Sequence, residues 1–253
     1  MVDDAALARL ATLLRDADQI VMLTGAGIST ESGIPDFRGP QGLWTKDPSA
    51  ERKATIQHYV ADEAHRRQVW RSRAGSELFT GKPNAGHVAL AELERRAKLH
   101  TLVTQNVDGL HQAAGSSPAI MIEIHGTVHE VKCLSCGWRG PMEETLARVR
   151  AGDDDPACVQ CGGMLKSATI SFGENLVPAD LERAQLAAAG ADVFLAIGTS
   201  LGVYPAAALP ELSLRAGGTL VVLNAEATPF DPLAEFVVRD RLGDVLPALV
   251  ELV

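Results

Sequence analysis

The chain has 253 residues, a formal net charge of -9 and 22% charged residues. That length suits one well-buried core plus a smaller appended module. The acidic balance argues against general nucleic-acid binding, which needs a basic footprint, while suiting a basic, lysine-bearing partner. No apolar run of about 18 residues occurs, so no membrane span is expected.

Residues 1–18 carry acidic side chains early and lack an apolar stretch followed by a cleavage site, so the expected location is cytoplasmic. They read as an amphipathic helix with Leu7, Leu10, Leu13 and Leu14 on one face. Residues 20–23, IVML, then read as a buried strand running into the glycine-rich turn TGAGIS. Three more units repeat this design: LVTQNVDGLH with Leu102 and Val103 at a strand end, VFLAIGTS at 193–200, and TLVVLNAEAT at 219–228. Helical patterns fall between them at about 85–98, 179–190 and 205–216. Apolar strands that end in small or polar residues and alternate with helices predict a Rossmann-like α/β fold. A parallel sheet is covered by helices on both faces, and ligands gather beyond the strands' carboxyl ends.

Two stretches break the alternation. Residues 38–80 are charged and read as a small, mostly solvated helical module. Residues 126–167 contain all four cysteines. Both are read as insertions, leaving 1–37, 81–125 and 168–253 as the large Rossmann-like domain.

The cysteines form two CxxC pairs, Cys133/Cys136 and Cys158/Cys161, with Gly137, Gly162 and Gly163 placed to relax the turns. Two such knuckles suit one tetrahedral four-thiolate Zn2+ site, which has no open position and is therefore structural. Redox CxxC pairs are the lesser alternative, since neither opens a helix after a buried strand. The turn Gly25-Ala26-Gly27-Ile28-Ser29 would let backbone amides approach a phosphate. Thr30 stands where a dinucleotide fingerprint has its last glycine, so a plain strand-to-helix turn stays open on local grounds. Asn106 offers both a donor and an acceptor, and Asp108 accepts hydrogen bonds when ionised. Capping of a helix near Leu110 is the alternative use for both. His125 closes the apolar run AIMIEIH, either as a satisfied structural residue or as a base that titrates near neutrality. His111 has a possible role in ordering the QNVDGL segment. His87 reads as structural near a helix start, and His58, His65, His100 and His129 read as exposed or at module edges.

GAGISTESGIPDFRG at 25–39 and TQNVDGLHQAAG at 104–115 closely resemble the cofactor segments of the sirtuins. His125-Gly126, the paired cysteines, FGENL at 172–176, GTSLGVYPAA at 198–207 and LNAEATPFD at 223–231 follow in sirtuin order. The resemblance spans nearly the whole chain. It implies NAD-dependent removal of acyl groups from protein lysines, acetyl above all. NAD is consumed as a co-substrate, and nicotinamide, free lysine and O-acyl-ADP-ribose are the products. By the same resemblance Gly25, Ala26, Gly27, Ser29 and Arg38 surround the pyrophosphate, and Asp36 and Phe37 lie on the nicotinamide side. Gln105, Asn106 and Asp108 position the nicotinamide and its ribose. Gly198, Thr199, Ser200, Asn224 and Glu226 contact the adenosine half. His125 is the general base that activates a ribose hydroxyl after the acyl oxygen has attacked the ribose carbon, with Asn106 and Asp108 as its catalytic companions.

The resemblance also implies an apolar tunnel for the acylated lysine. Phe37, Val107, Ile170 and Phe172 form its walls, and Gly173, Glu174 and Asn175 pair with extended substrate backbone. Ser171 departs from the two bulky residues that many sirtuins carry before FGE. Tyr59 is followed three positions later by Asp62, not by arginine, which disfavours acidic acyl groups. GPQGLWT at 39–45 resembles the loop of sirtuins noted for weak deacetylation, longer acyl chains or ADP-ribosyl transfer, so those activities stay open as alternatives. A non-catalytic NAD or acyl-lysine binding module is the remaining rival. An ordinary dehydrogenase is disfavoured by the missing third glycine.

Overall fold

In the computed structural model, residues 3–40, 42–47, 49–75 and 81–253 are described. In chain order the elements begin with α1 Asp4–Asp16, β1 Ile20–Thr24, α2 Leu43–Lys46, α3 Ser49–Lys53, α4 Ile56–Ala61, α5 Glu63–Ala74 and α6 Ala85–Arg95. There follow β2 Thr101–Thr104, α7 Leu110–Ala113, β3 Met121–Glu123, β4 Gly126–Cys133, β5 Arg139–Pro141, α8 Met142–Arg150 and β6 Leu165–Thr169. The chain closes with α9 Pro178–Ala189, β7 Val193–Ile197, α10 Leu209–Arg215, β8 Thr219–Leu223, β9 Phe236–Val238 and α11 Leu242–Leu252.

Six strands form one sheet in the order β3-β2-β1-β7-β8-β9, and every pairing in it is parallel. All five residues of both β1 and β7 are buried, as a parallel strand covered on two faces requires. Alternate residues feed two cores. Ile20, Met22, Leu195 and Val221 face α1, α6 and α11, whereas Val21, Leu23, Phe194 and Val222 face α9 and α10. Leu7, Leu10 and Leu14 of α1 are buried and Leu13 only partly so. The edge strands β3 and β9 were not among the four expected. Each spans three residues, too few for periodicity to register.

Helix α6 stops at Arg95 rather than 98, because Ala97 is left-handed with φ 56° and Lys98 N–H folds back to Leu93 O at 2.9 Å. The expected helix at 205–216 is split into a short 3-10 turn, Ala206–Ala208, and α10.

A second, antiparallel sheet, β5-β4-β6, carries the cysteine segment. Its small core contains Val131, Cys133, Met142, Leu146, Cys158 and Leu165, and one residue from far upstream, Trp70 of α5. The expectation that residues 38–80 are mostly solvated is therefore corrected for this helix. Trp70 is fully buried and Tyr59 nearly so. The charged face of α5 is also engaged: Arg66 makes a bidentate pair with Asp155, and Arg67 and Arg71 both reach Asp154. Asp154 and Asp155 are the counter-surface for those arginines, while Asp153 pairs with Arg148 of α8. The two insertions pack on each other. The expected boundary between 80 and 81 adjoins residues 76–80, which lie outside the described set.

Candidate active site

The strand order reverses between β1 and β7, so the chain leaves these neighbours in opposite directions and a crevice opens beyond their carboxyl ends. The loops that follow them touch through backbone. Gly25 N–H donates to Ile197 O at 3.0 Å and Gly27 N–H to Gly198 O at 2.8 Å. A Cβ on Gly27 would sit 2.7 Å from Gly198 Cα, and one on Gly198, itself at φ 60°, would sit 2.4 Å from Ile28 N. Only glycine permits this approach, which leaves a cradle of peptide groups at the head of the crevice. Thr30 uses its hydroxyl to bond Gly27 O at 2.9 Å, and Ala26–Ser32 forms a 3-10 turn instead of the α-helix of a dinucleotide fingerprint.

Behind that cradle lies a buried polar network. Ser29 Oγ donates to Asp108 Oδ2 at 2.7 Å, and Asn106 Nδ2 donates to Ser29 Oγ at 3.2 Å and to Gly25 O at 3.1 Å. His87 Nε2 stands 3.4 Å from the same hydroxyl. Asn84 N–H donates to His87 Nδ1, so the ring's proton lies on Nε2 and points at Ser29. Ser29 thus accepts two protons and directs its own onto Asp108. Leu110 N–H holds Asp108 Oδ1 at 3.0 Å, so the helix-capping use foreseen for Asp108 operates alongside its place in the crevice. His111 lies beneath, with Nε2 2.9 Å from Thr24 Oγ1 and its ring edge-on to His87 at 4.9 Å. Burial lowers His87 to about 4 and His111 to about 3, so both rings are neutral at physiological pH.

His125 lines the cleft beside Asn106 and Asp108. Its Nδ1 is 3.1 Å from Gln105 O. A carbonyl only accepts, so Nδ1 carries the proton and Nε2 of the neutral ring keeps its lone pair. Burial lowers the ring's pKa against the opposing effect of the Gln105 carbonyl. Gln105 itself reaches across the crevice, its Nε2 donating to Thr199 Oγ1 at 2.9 Å. On the far side Asn224 Nδ2 donates to Glu226 O at 2.8 Å. Arg239, which no motif pointed to, donates to the carbonyls of both Asn224 and Glu226 at 2.8 and 2.7 Å.

The cleft encloses about 1810 Å³ and runs from Asn224 past the glycine cradle to Phe172. Asp36 is turned back to cap its own loop, accepting Gly39 N–H at 3.1 Å. Phe37 packs on Trp44 at 4.9 Å, and Trp44 on Phe172 at 5.4 Å. Arg38 lies over the Trp44 ring at 4.4 Å and pairs with Glu51. Trp44 is therefore central to this wall, though its sequence signal was only the GPQGLWT loop, whose Gln41 lies outside the described residues. Tyr59 also reaches the cleft, but its hydroxyl is spent on Leu165 O at 2.7 Å. Arg73 lines the same side, where burial lowers its pKa.

Val107, Ile170, Phe172, Gly173 and Asn175 all line the cleft. Residues 171–174 form a tight turn. Glu174 N–H folds back to Ser171 O at 3.0 Å, and Gly173 is left-handed at φ 85°. Phe172 has its backbone bonded on both sides, to Ala54 O and from Ile56 N–H. Glu174 turns its carboxylate inward, onto Lys132 and Lys166. Ser171 is half-buried, and its N–H is held by Glu174 Oε2 at 2.8 Å.

The four cysteine sulfurs lie within 4.8 Å of one another. Cys133–Cys161 and Cys136–Cys158 are 3.6 and 3.8 Å apart. A tetrahedron with Zn–S bonds of about 2.3 Å has edges of about 3.8 Å, so the donor set fits zinc. Ser135, Gln160 and Gly163 N–H groups point at the sulfurs at 3.4 Å, which favours thiolates.

A family model described as the Sir2 family matches residues 25–205. The NAD-dependent protein deacetylase 2 of Streptomyces coelicolor is 50% identical over 231 residues, covering 91% of this chain and 96% of that protein. The NAD-dependent protein deacylase of Pyrococcus furiosus is 40% identical, with 97% of each chain covered. Among solved structures, a Sir2–p53 peptide–NAD+ complex superposes with a TM-score of 0.85 at 35% identity, covering 96% of both chains.

Proposed function

Since the chain belongs to the Sir2 family and is an NAD-dependent protein lysine deacylase on the sirtuin fold, we propose how its own residues divide that work. Bound NAD supplies an electrophilic ribose carbon with nicotinamide as its leaving group, and the ADP-ribose left behind takes the acyl group. Backbone groups of Gly25, Ala26 and Gly27, with Arg38, hold the pyrophosphate. Gly198, Thr199, Ser200, Asn224 and Glu226 hold the adenosine half. Asn106 and Asp108 hold the nicotinamide end in a fixed orientation, because Ser29 and Leu110 N–H leave the carboxylate no freedom to turn. Gln105 steadies the ribose region through Thr199. His125, kept neutral by burial, takes a proton at Nε2 from a ribose hydroxyl. Phe37, Trp44 and Phe172 wall an apolar passage for the acylated lysine and exclude water from it. Asp36 shapes the Phe37 loop, and Val107 and Ile170 complete the passage. Gly173 and Asn175 present backbone to the substrate chain. The zinc knuckles hold residues 126–167 as a structural unit. The unit packs on the helical insertion 38–80, and the large domain comprises 1–37, 81–125 and 168–253.

The observation that carries this reading is that His125 and the Ser29–Asn106–Asp108 network line one cleft beyond the carboxyl ends of the parallel strands. Product mass spectrometry with NAD and acetyl-, propionyl-, butyryl-, long-chain acyl- and succinyl-lysine peptides tests it. Free lysine peptide with matching O-acyl-ADP-ribose is the expected product pair. ADP-ribose left on protein would assign the residues to transfer instead.

A further inference from the structure

Strands β4 and β6 set Lys132 directly opposite Lys166. Like charges at facing positions of an antiparallel pair repel, and Lys166 is only 2% exposed. One carboxylate answers both. Glu174 Oε1 lies 2.7 Å from Lys132 Nζ, and Oε2 lies 2.9 Å from Lys166 Nζ. The same Oε2 takes Ser171 N–H and so closes the 171–174 turn. Lys166 Nζ is pinned in addition to Thr169 O at 2.6 Å.

Between β6 and α9 the chain forms no helix or strand of its own. It hangs from two bodies. Phe172 is bonded through its backbone to Ala54 and Ile56 of the helical insertion. Glu174 is bonded through its side chain to the sheet that carries Cys133. A buried ion cluster is a poor way to gain stability, since apolar residues of the same volume do as well or better. What it does provide is a fixed position, because a carboxylate with three converging donors has one geometry. We infer that Glu174 is a positioning residue, the tie through which the zinc-bearing sheet sets the substrate loop in the acyl-lysine cleft. The inference rests on the acyl-lysine reading of that cleft. The catalytic end is held by different bonds, from His125 Nδ1–H to Gln105 O and from Ser29 Oγ–H to Asp108. The tie should therefore govern peptide affinity and leave turnover alone.

The test uses the zinc-loaded full chain at saturating NAD with an acyl-lysine peptide titrated. In E174Q the amide offers one acceptor oxygen, and its NH2 faces an ammonium. The peptide KM is expected to rise about tenfold, in keeping with the loss of one charge-assisted hydrogen bond. The kcat, the KM for NAD and the zinc content should stay at wild-type values. E174D, one methylene short of both lysines, should fall between. K132M removes the less buried partner and gives the same readout, at about threefold, should E174Q fail to fold. An unchanged peptide KM in both E174Q and K132M overturns the inference. So does a joint fall in kcat, NAD affinity and zinc content, which would make the carboxylate a staple of the module only. Wild-type protein that binds NAD yet deacylates no peptide would fail the underlying reading instead, and is distinguished by needing no variant.

Discussion

Replacing Ser29 by alanine removes one oxygen from the centre of the nicotinamide-side network, and its effect can be worked from the bonds. Asp108 loses the 2.7 Å donor to Oδ2 and keeps Leu110 N–H on Oδ1. Asn106 Nδ2 keeps Gly25 O at 3.1 Å, so it is not stranded. His87 Nε2–H loses its acceptor, although at 3.4 Å that bond was weak. The dominant loss is one charge-assisted hydrogen bond to a buried carboxylate, about 2–3 kcal/mol. Expressed in the transition state, this lowers kcat/KM by about 30- to 150-fold. Expressed in the NAD-free fold, it lowers Tm by about 4–6 °C for a domain of this size. Steady-state kinetics and thermal unfolding of Ser29→Ala, measured together, divide the total between the two. If kcat/KM stays within about threefold and Tm within about 1 °C of wild type, Ser29 does not hold Asp108 and the reasoning fails.

His125→Ala should lower deacylation by at least about a hundredfold while NAD still binds, checked by product formation against a binding isotherm. Because burial depresses the His125 pKa, wild-type activity should hold on the acid side down past pH about 6.5 and inflect below it. Stability follows the same sign. His87 and His111 stay neutral in the fold to about 4 and about 3, while the unfolded chain protonates below its ordinary 6.5. Their contribution is thus full above pH 6.5 and lost between there and about 4 and 3, and denaturant unfolding at pH 7, 5.5 and 4.5 should show the decline. Gly198→Ala puts a methyl 2.4 Å from Ile28 N at a left-handed position, so soluble NAD-binding protein should be lost. Elemental analysis should find one zinc per chain, and Cys158→Ser or a strong chelator should unfold residues 126–167, read by hydrogen exchange, before the parallel sheet opens.

Much of this protein was legible in the chain itself. Buried strands ending in TGAG, TQN and GTS encode a parallel sheet with a polar edge, because apolar runs and small residues act locally through burial and backbone freedom. The cysteine spacing likewise fixed the metal donors before any fold was known, since each knuckle is a local turn. Tertiary structure alone decided what depends on distant segments meeting. Trp70 reads as part of a charged helix and becomes the core of the cysteine module, because α5 lies against α8. His87 looks like a helix-start residue, and it is one. The same ring also backs Ser29, since α6 packs under the glycine turn. Arg239 had no motif, because its role is to grip two carbonyls that a β-strand's end brings within reach. Glu174 was read as a residue facing the substrate. It turns inward because strand register placed two lysines opposite each other, and register is set by the pairing of β4 with β6, a contact that residues 126 and 169 begin and no local pattern records.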